Sequence, residues 1–152
     1  MLKIQKDLLV LEAKNHTELM VKQLLEEYGR QVKQSETNSY DDFNGIDLKV
    51  FNPKTGEYTY IDVKCSKPQN QNSENFLMTI QSNKGKYYTE KNTDWYAFIN
   101  IPRHEVVFIS KDNIIPLVNE CTKLYGNGRY VLIKKNKIRE KGYSIINPNI
   151  IK

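Results

Sequence analysis

The chain has 152 residues, 23 Lys and Arg against 18 Asp and Glu, a net charge of +5 and a pI near 9.1. That length makes one domain, expected to span 1–152, and is enough to bury about two thirds of the unfolded surface without staples. No apolar run approaches a membrane span, the amino terminus lacks a signal peptide's hydrophobic region, and Cys65 and Cys121 are far apart, so a membrane protein, a disulfide scaffold and a zinc ribbon are all disfavoured. A soluble cytoplasmic protein with two reduced thiols is expected, and the basic charge makes a polyanionic partner plausible without demanding one.

In chain order, Leu2–Leu11 is mildly apolar and reads as either a strand or a leading helical turn. Asn15 followed by Glu18 is a capping-box pattern, and Val21, Leu24, Leu25 and Tyr28 recur at helical spacing until Gly29 ends the helix. Gln31–Asn44 is polar and reads as a loop or an edge segment. Ile46–Phe51, a turn at Asn52–Glu57, and Tyr58–Cys65 form a β-hairpin rich in β-branched and aromatic residues.

Side chains alternate along a strand, so Asp62 and Lys64 share one face while Ile61, Val63 and Cys65 share the other. A carboxylate and an ammonium on an otherwise apolar strand belong at the lip of a site more naturally than in a core. Cys65 is read as core. Asp47, on the partner arm, comes near Asp62 if the register follows the turn. Two converging carboxylates repel unless a cation lies between them, and a hard divalent ion such as Mg²⁺ suits oxygen ligands. Lys64 beside them would orient or help deprotonate an attacking water, or stabilise charge on a phosphate. Acid-any-Lys also occurs at Glu12-Ala13-Lys14 and Asp47-Leu48-Lys49. Asp62-Val63-Lys64 is preferred for its context, a strand with an upstream acid across a hairpin and an acid-bearing helix before both.

Beyond the hairpin, 68–75 is a polar loop, Phe76–Ile80 a short strand, and Gln81–Lys91 is expected to be helical at its end, with Lys84, Lys86 and Lys91 as a basic face. Asp94–Ile101 is a buried strand and Val106–Ile109 another. Ser110 caps a helix expected to run to about Tyr125 and to stop at Gly126-Asn127-Gly128. Tyr130–Ile133 is a strand, Lys134–Lys141 the densest basic run, and Tyr143–Ile151 a last extended piece. That run is more often a solvated face than a binding site, although beside the hairpin it would neutralise phosphates. The tyrosines have the same two readings, core aromatics or stacking platforms for bases.

These motifs resemble the PD-(D/E)XK (restriction-endonuclease-like) nuclease superfamily, most nearly its archaeal Holliday-junction-resolvase-like branch: a helix bearing Glu18, a strand opening Gly45-Ile46-Asp47, and Asp62-Val63-Lys64. The resemblance covers roughly the first two thirds of the chain, and Ile46 stands where the superfamily has proline. It implies an α/β (α+β) fold with a central mixed sheet flanked by helices, a core over about 8–110 and a basic C-terminal extension over 111–152.

The chemistry it implies is Mg²⁺-dependent hydrolysis of DNA, with Mn²⁺ as the usual substitute. Asp47, Asp62 and the backbone carbonyl of Val63 would be metal ligands, Glu18 would hold a second ion or a water, and Lys64 would activate the attacking water. Glu12 rivals Glu18, whose plainer reading is a helix cap; the two roles are compatible. Gln81 stands where the family often has a polar residue, and Lys67, Lys84, Lys86, Lys134, Lys135, Lys137 and Arg139 are candidate phosphate contacts. Cutting two strands needs two sites, hence a homodimer, on a junction, a restriction site or a homing target. A non-catalytic nucleic-acid-binding module of the same fold and a phage or mobile-element interaction protein are the competing expectations, and RNA remains open as a substrate.

Overall fold

A computed structural model describes residues 16–34, 46–65, 75–81, 87–100 and 103–147. The readings made above for Leu2–Leu11, for the loops after Gln34 and Cys65, and for the chain after Asn147 lie outside them. The first helix, α1, covers 16–27. Thr17, Met20, Val21 and Leu24 recur at three- and four-residue spacing and are all buried. Gly29, at φ 79°, closes α1 in a left-handed turn: its N–H donates to the Glu26 carbonyl and that of Arg30 to the Leu25 carbonyl. Tyr28, expected to face inward, is 68 % exposed, because it lies in that closing turn, where the chain has already left the packed face of the helix.

The polar stretch after α1 opens as an edge strand, β1 (Gln31–Gln34). It pairs antiparallel with β2 (Leu48–Asn52), which pairs with β3 (Glu57–Cys65) as the hairpin reading requires. The turn is built by Asn52, whose Oδ1 accepts the Lys54 N–H at 3.0 Å, and by Gly56 at φ 74°. β4 (Asn75–Thr79) leaves this sheet, and β5 (Trp95–Asn100) returns parallel to β3, with β6 (Glu105–Ser110) antiparallel beyond it. The central mixed sheet has the order β1-β2-β3-β5-β6, and β4 pairs separately with β7 (Tyr130–Lys134).

Two expectations are corrected. Of the helix expected at the end of Gln81–Lys91, only a 3₁₀ turn at Tyr88–Glu90 forms. Gln81 and Tyr87 form an antiparallel bridge instead, with the Tyr88 N–H bonded to the Ile80 carbonyl. The helix after Ser110, α2 (Lys111–Asn119), stops well short of Tyr125: after Cys121, which packs against the core, Thr122, Lys123 and Leu124 are exposed, Leu124 at 56 %. Gly126-Asn127-Gly128, all at positive φ, instead turn the chain between Tyr125 and Tyr130, which bridge each other. The basic run folds as a short helix, α3 (Lys135–Glu140), anchored by the fully buried Ile138.

The central sheet carries a core on each face. On one, Met20, Val21 and Leu24 of α1 meet Leu48, Ile61, Ala97 and Ile99. On the other, Tyr96, Phe98, Val107 and Ile109 meet Phe76 and Met78 of β4, Val131 and Ile133 of β7, and α2 and α3. Residues beyond 110 therefore supply a large part of the second core. The fold is a mixed α+β arrangement with a five-stranded mixed sheet flanked by helices.

Candidate active site

The β2–β3 pairing ends at Leu48 opposite Ile61, and one step further the chain sets Asp47 beside Asp62. There β2 no longer supplies a backbone acceptor. The Asp47 carboxylate takes that place, accepting the Val63 N–H at 2.8 Å. Asp47 is thereby fastened to the backbone of Asp62-Val63-Lys64, as the hairpin register anticipated.

Asp62 is 1 % exposed. A carboxylate this deep needs donors and a countercharge. Thr93 Oγ1 donates to its Oδ2 at 2.9 Å, and Lys91 Nζ lies 3.7 Å from the same oxygen. Lys64, two residues on and on the same face, is half-buried. Tyr96 stands beside Asp62 in the parallel register and is fully buried. Burial above all, with the Asp62 charge adding to it and nearby Thr93 pulling the other way, raises the phenol's pKa far above its usual range.

Glu18 approaches the same end of the sheet from α1. It is buried, and its Oε2 accepts the Gln34 Nε2 at 3.2 Å; Gln34 in turn pairs in register with Leu48. α1 covers the face opposite the one that carries Asp62, so Glu18 flanks the strand end rather than joining Asp62 in one cluster. Among the described residues no three His, Cys, Asp or Glu side chains are grouped to hold an ion. Asp47 and Asp62 are both buried carboxylates at this strand end, the first on the Val63 N–H and the second on Thr93 and Lys91.

The basic residues separate by role. Lys135 is turned inward, 2.6 Å from Glu105 Oε1 and 2.8 Å from Oε2, and only 12 % of its side chain is exposed. Lys137 pairs along α3 with Glu140 at 3.6 Å, while Lys134 and Arg139 are exposed. Lys134 and Lys137 line a groove with Leu117, Cys121 and Tyr125. Gln81 serves the β4 end through its bridge to Tyr87, and its N–H points to the Arg129 carbonyl. Glu12, Lys67, Lys84 and Lys86 lie outside the described residues.

Sequence reasoning missed Thr93 and Tyr96, and it placed Lys91 on a basic face rather than at Asp62. The usable signal was weak: Asp62 and the 91–96 segment meet only if β3 and β5 run in parallel. By fold the protein is a mixed α+β domain, and among its described residues no helix is long and apolar enough to cross a membrane. No protein-family model, curated protein or solved structure matches the chain.

Proposed function

We propose that the protein is a Mg²⁺-dependent endodeoxyribonuclease with a restriction-endonuclease-like core, acting in the cytoplasm. The observation that carries this reading is the Asp47 carboxylate seated on the Val63 N–H, beside the buried Asp62 in Asp62-Val63-Lys64. Three buried carboxylates at one end of a sheet are costly to keep, and a purely structural strand has no need of them.

Asp47, Asp62 and the Val63 carbonyl would hold the ion, with Glu18 serving from the α1 side. When bound, the ion supplies Lewis-acid polarisation of a phosphoryl oxygen and lowers the pKa of a water. Lys64 orients the attacking water and stabilises the charge that gathers on the phosphate. Thr93 holds the Asp62 carboxylate in place. Hydrolysis is direct. Cys65, the nearest thiol in sequence, packs against the α1 core, and burial pushes its pKa up to about 11 against a smaller opposing hydrogen bond from Thr17. It stays protonated at neutral pH and is a poor nucleophile. Paired cuts on a duplex or a junction call for a homodimer.

One observation favours a second reading, a non-catalytic DNA-binding module. Lys91 already gives Asp62 a countercharge within the chain. The test is cleavage of supercoiled plasmid and of a four-way junction in Mg²⁺, Mn²⁺ or EDTA, with Asp62→Ala as control. Nuclease action predicts cutting that requires metal and disappears in the variant. Binding that is equal in both proteins, with no cutting of either substrate, favours the module.

A further inference from the structure

We infer that the open face of the β1–β3 sheet binds single-stranded nucleic acid, with bases stacked on Tyr58 and Phe51 and phosphates held by Lys33 and Lys49. The register sets these residues on one face in two adjacent rows. Lys33, Lys49 and Tyr60 are directly opposed across the three strands, and Gln31, Phe51 and Tyr58 are opposed in the next row. Residues directly opposite one another project to the same side of a sheet. Val32, Val50 and Ile61, of opposite parity, pack against α1, so the aromatic and basic rows face away from it.

Among the described residues, the second core on that side covers β5 and β6 and does not reach β1 or β2. Phe51, Tyr58 and Tyr60 belong to neither core among the described residues. Tyr58 is 45 % exposed and Lys33 is exposed at the sheet edge. A shallow groove is lined by Gln31, Val32, Lys33, Phe51 and Tyr58.

The chemistry of this face selects its ligand. The Phe51 and Tyr58 rings are tilted neighbours with centroids 5.4 Å apart, and Lys49 Nζ lies 4.5 Å from the Tyr58 centroid. Aromatic faces beside ammonium groups suit unpaired bases on a phosphate backbone, because any base can stack while the cations follow the strand. On binding, a base takes the exposed ring face of Tyr58 and the Lys49 ammonium moves to a phosphate. A duplex hides its bases in the stack and cannot use the rings. The same face continues along β3 to Asp62 and Lys64, so a strand lying on it runs toward the candidate active site.

This site shares a nucleic-acid partner with the proposed nuclease but holds or falls on binding alone. The experiment is fluorescence anisotropy at low salt in EDTA, where no metal-dependent cutting occurs. The probes are labelled oligothymidylate, oligouridylate and a duplex of equal length. Either single strand should bind about tenfold more tightly than the duplex. Tyr58→Ala should weaken single-strand binding about tenfold, and Tyr58→Phe should preserve it. Lys33→Glu, at an exposed edge position and checked for folding by circular dichroism, should weaken binding and flatten its salt dependence. Preference for the duplex, or wild-type affinity in both Tyr58→Ala and Lys33→Glu, would overturn the inference. Neither result bears on whether Asp62 is needed for cleavage, so the two proposals fail separately.

Discussion

β3 and β5 are parallel neighbours in one sheet, yet they are built to different rules. In β5 five of six residues are buried, because α1 covers one face and the β4–β7 sheet with α2 covers the other. The strand reads accordingly as a nearly continuous apolar run. β3 turns an apolar row toward α1, but on its other face it sets Asp62 beside Tyr96 and Lys64 beside Phe98. A charged row flush with a dry aromatic row is not what packing alone selects. It persists because Asp62 has Thr93 and Lys91, and because Asp47 closes the strand end. The contrast separates a strand that holds the fold together from one that, under the proposed function, carries chemistry at some cost in stability.

The contrast can be broken most sharply at the Lys64–Phe98 register pair. Phe98→Ala should lower unfolding stability by about 3–5 kcal/mol, since it empties a fully buried aromatic site. Lys64→Ala should change stability by less than about 1 kcal/mol while reducing cleavage about 10²–10³-fold. Denaturant melts and plasmid cleavage on the two variants check this, and equal destabilisation would make Lys64 a packing residue.

The α1-facing row of β3 makes a smaller prediction. The Cys65 thiol has its pKa raised from 9.0 to about 11, with burial as the main cause. A raised folded-state value means that the stability is fully present below about pH 9 and is lost as the pH climbs toward 11, up to about 2–3 kcal/mol. Urea midpoints across that window should fall in the wild type and fall less in Cys65→Ala. Tyr96 and Cys121, shifted in the same direction, will keep part of the slope in the variant.

The smallest effect is expected at Lys91. Lys91→Met leaves the buried Asp62 carboxylate short of a countercharge and should cost about 1–3 kcal/mol. Added Mg²⁺ should then raise the melting temperature of the variant more than that of the wild type, because a cation that binds only the folded chain stabilises it. An identical Mg²⁺ response in both would show that Lys91 and the ion do not share Asp62.

The sequence disclosed the parts of this architecture whose signals are local. The hairpin was legible because Asn52 and Gly56 supply turn chemistry and its arms carry strand residues; from its register followed the meeting of Asp47 with Asp62. β5 was legible as an apolar run. β1 was legible only as one of two alternatives, a loop or an edge segment, since Gln-Val-Lys-Gln offers one apolar side chain and an edge strand needs no more. α3 was hidden because a single buried residue, Ile138, anchors a helix otherwise written in charge. Thr93 and Lys91 could not be placed at Asp62 because 31 residues separate Thr93 from it, and only the parallel β3–β5 crossover brings them together. Lys135 looked like its basic neighbours until the fold turned it onto Glu105.

The most direct test of the central claim, that Asp47 and Asp62 hold one divalent ion, is Mn²⁺ binding followed by electron paramagnetic resonance. Wild type, Asp47→Asn and Asp62→Asn would be titrated under identical conditions, with circular dichroism confirming that each is folded. The account predicts a protein-bound Mn²⁺ signal in the wild type that is strongly weakened in both variants. Wild-type binding retained in both folded variants, or no Mn²⁺ binding in the wild type, would contradict it.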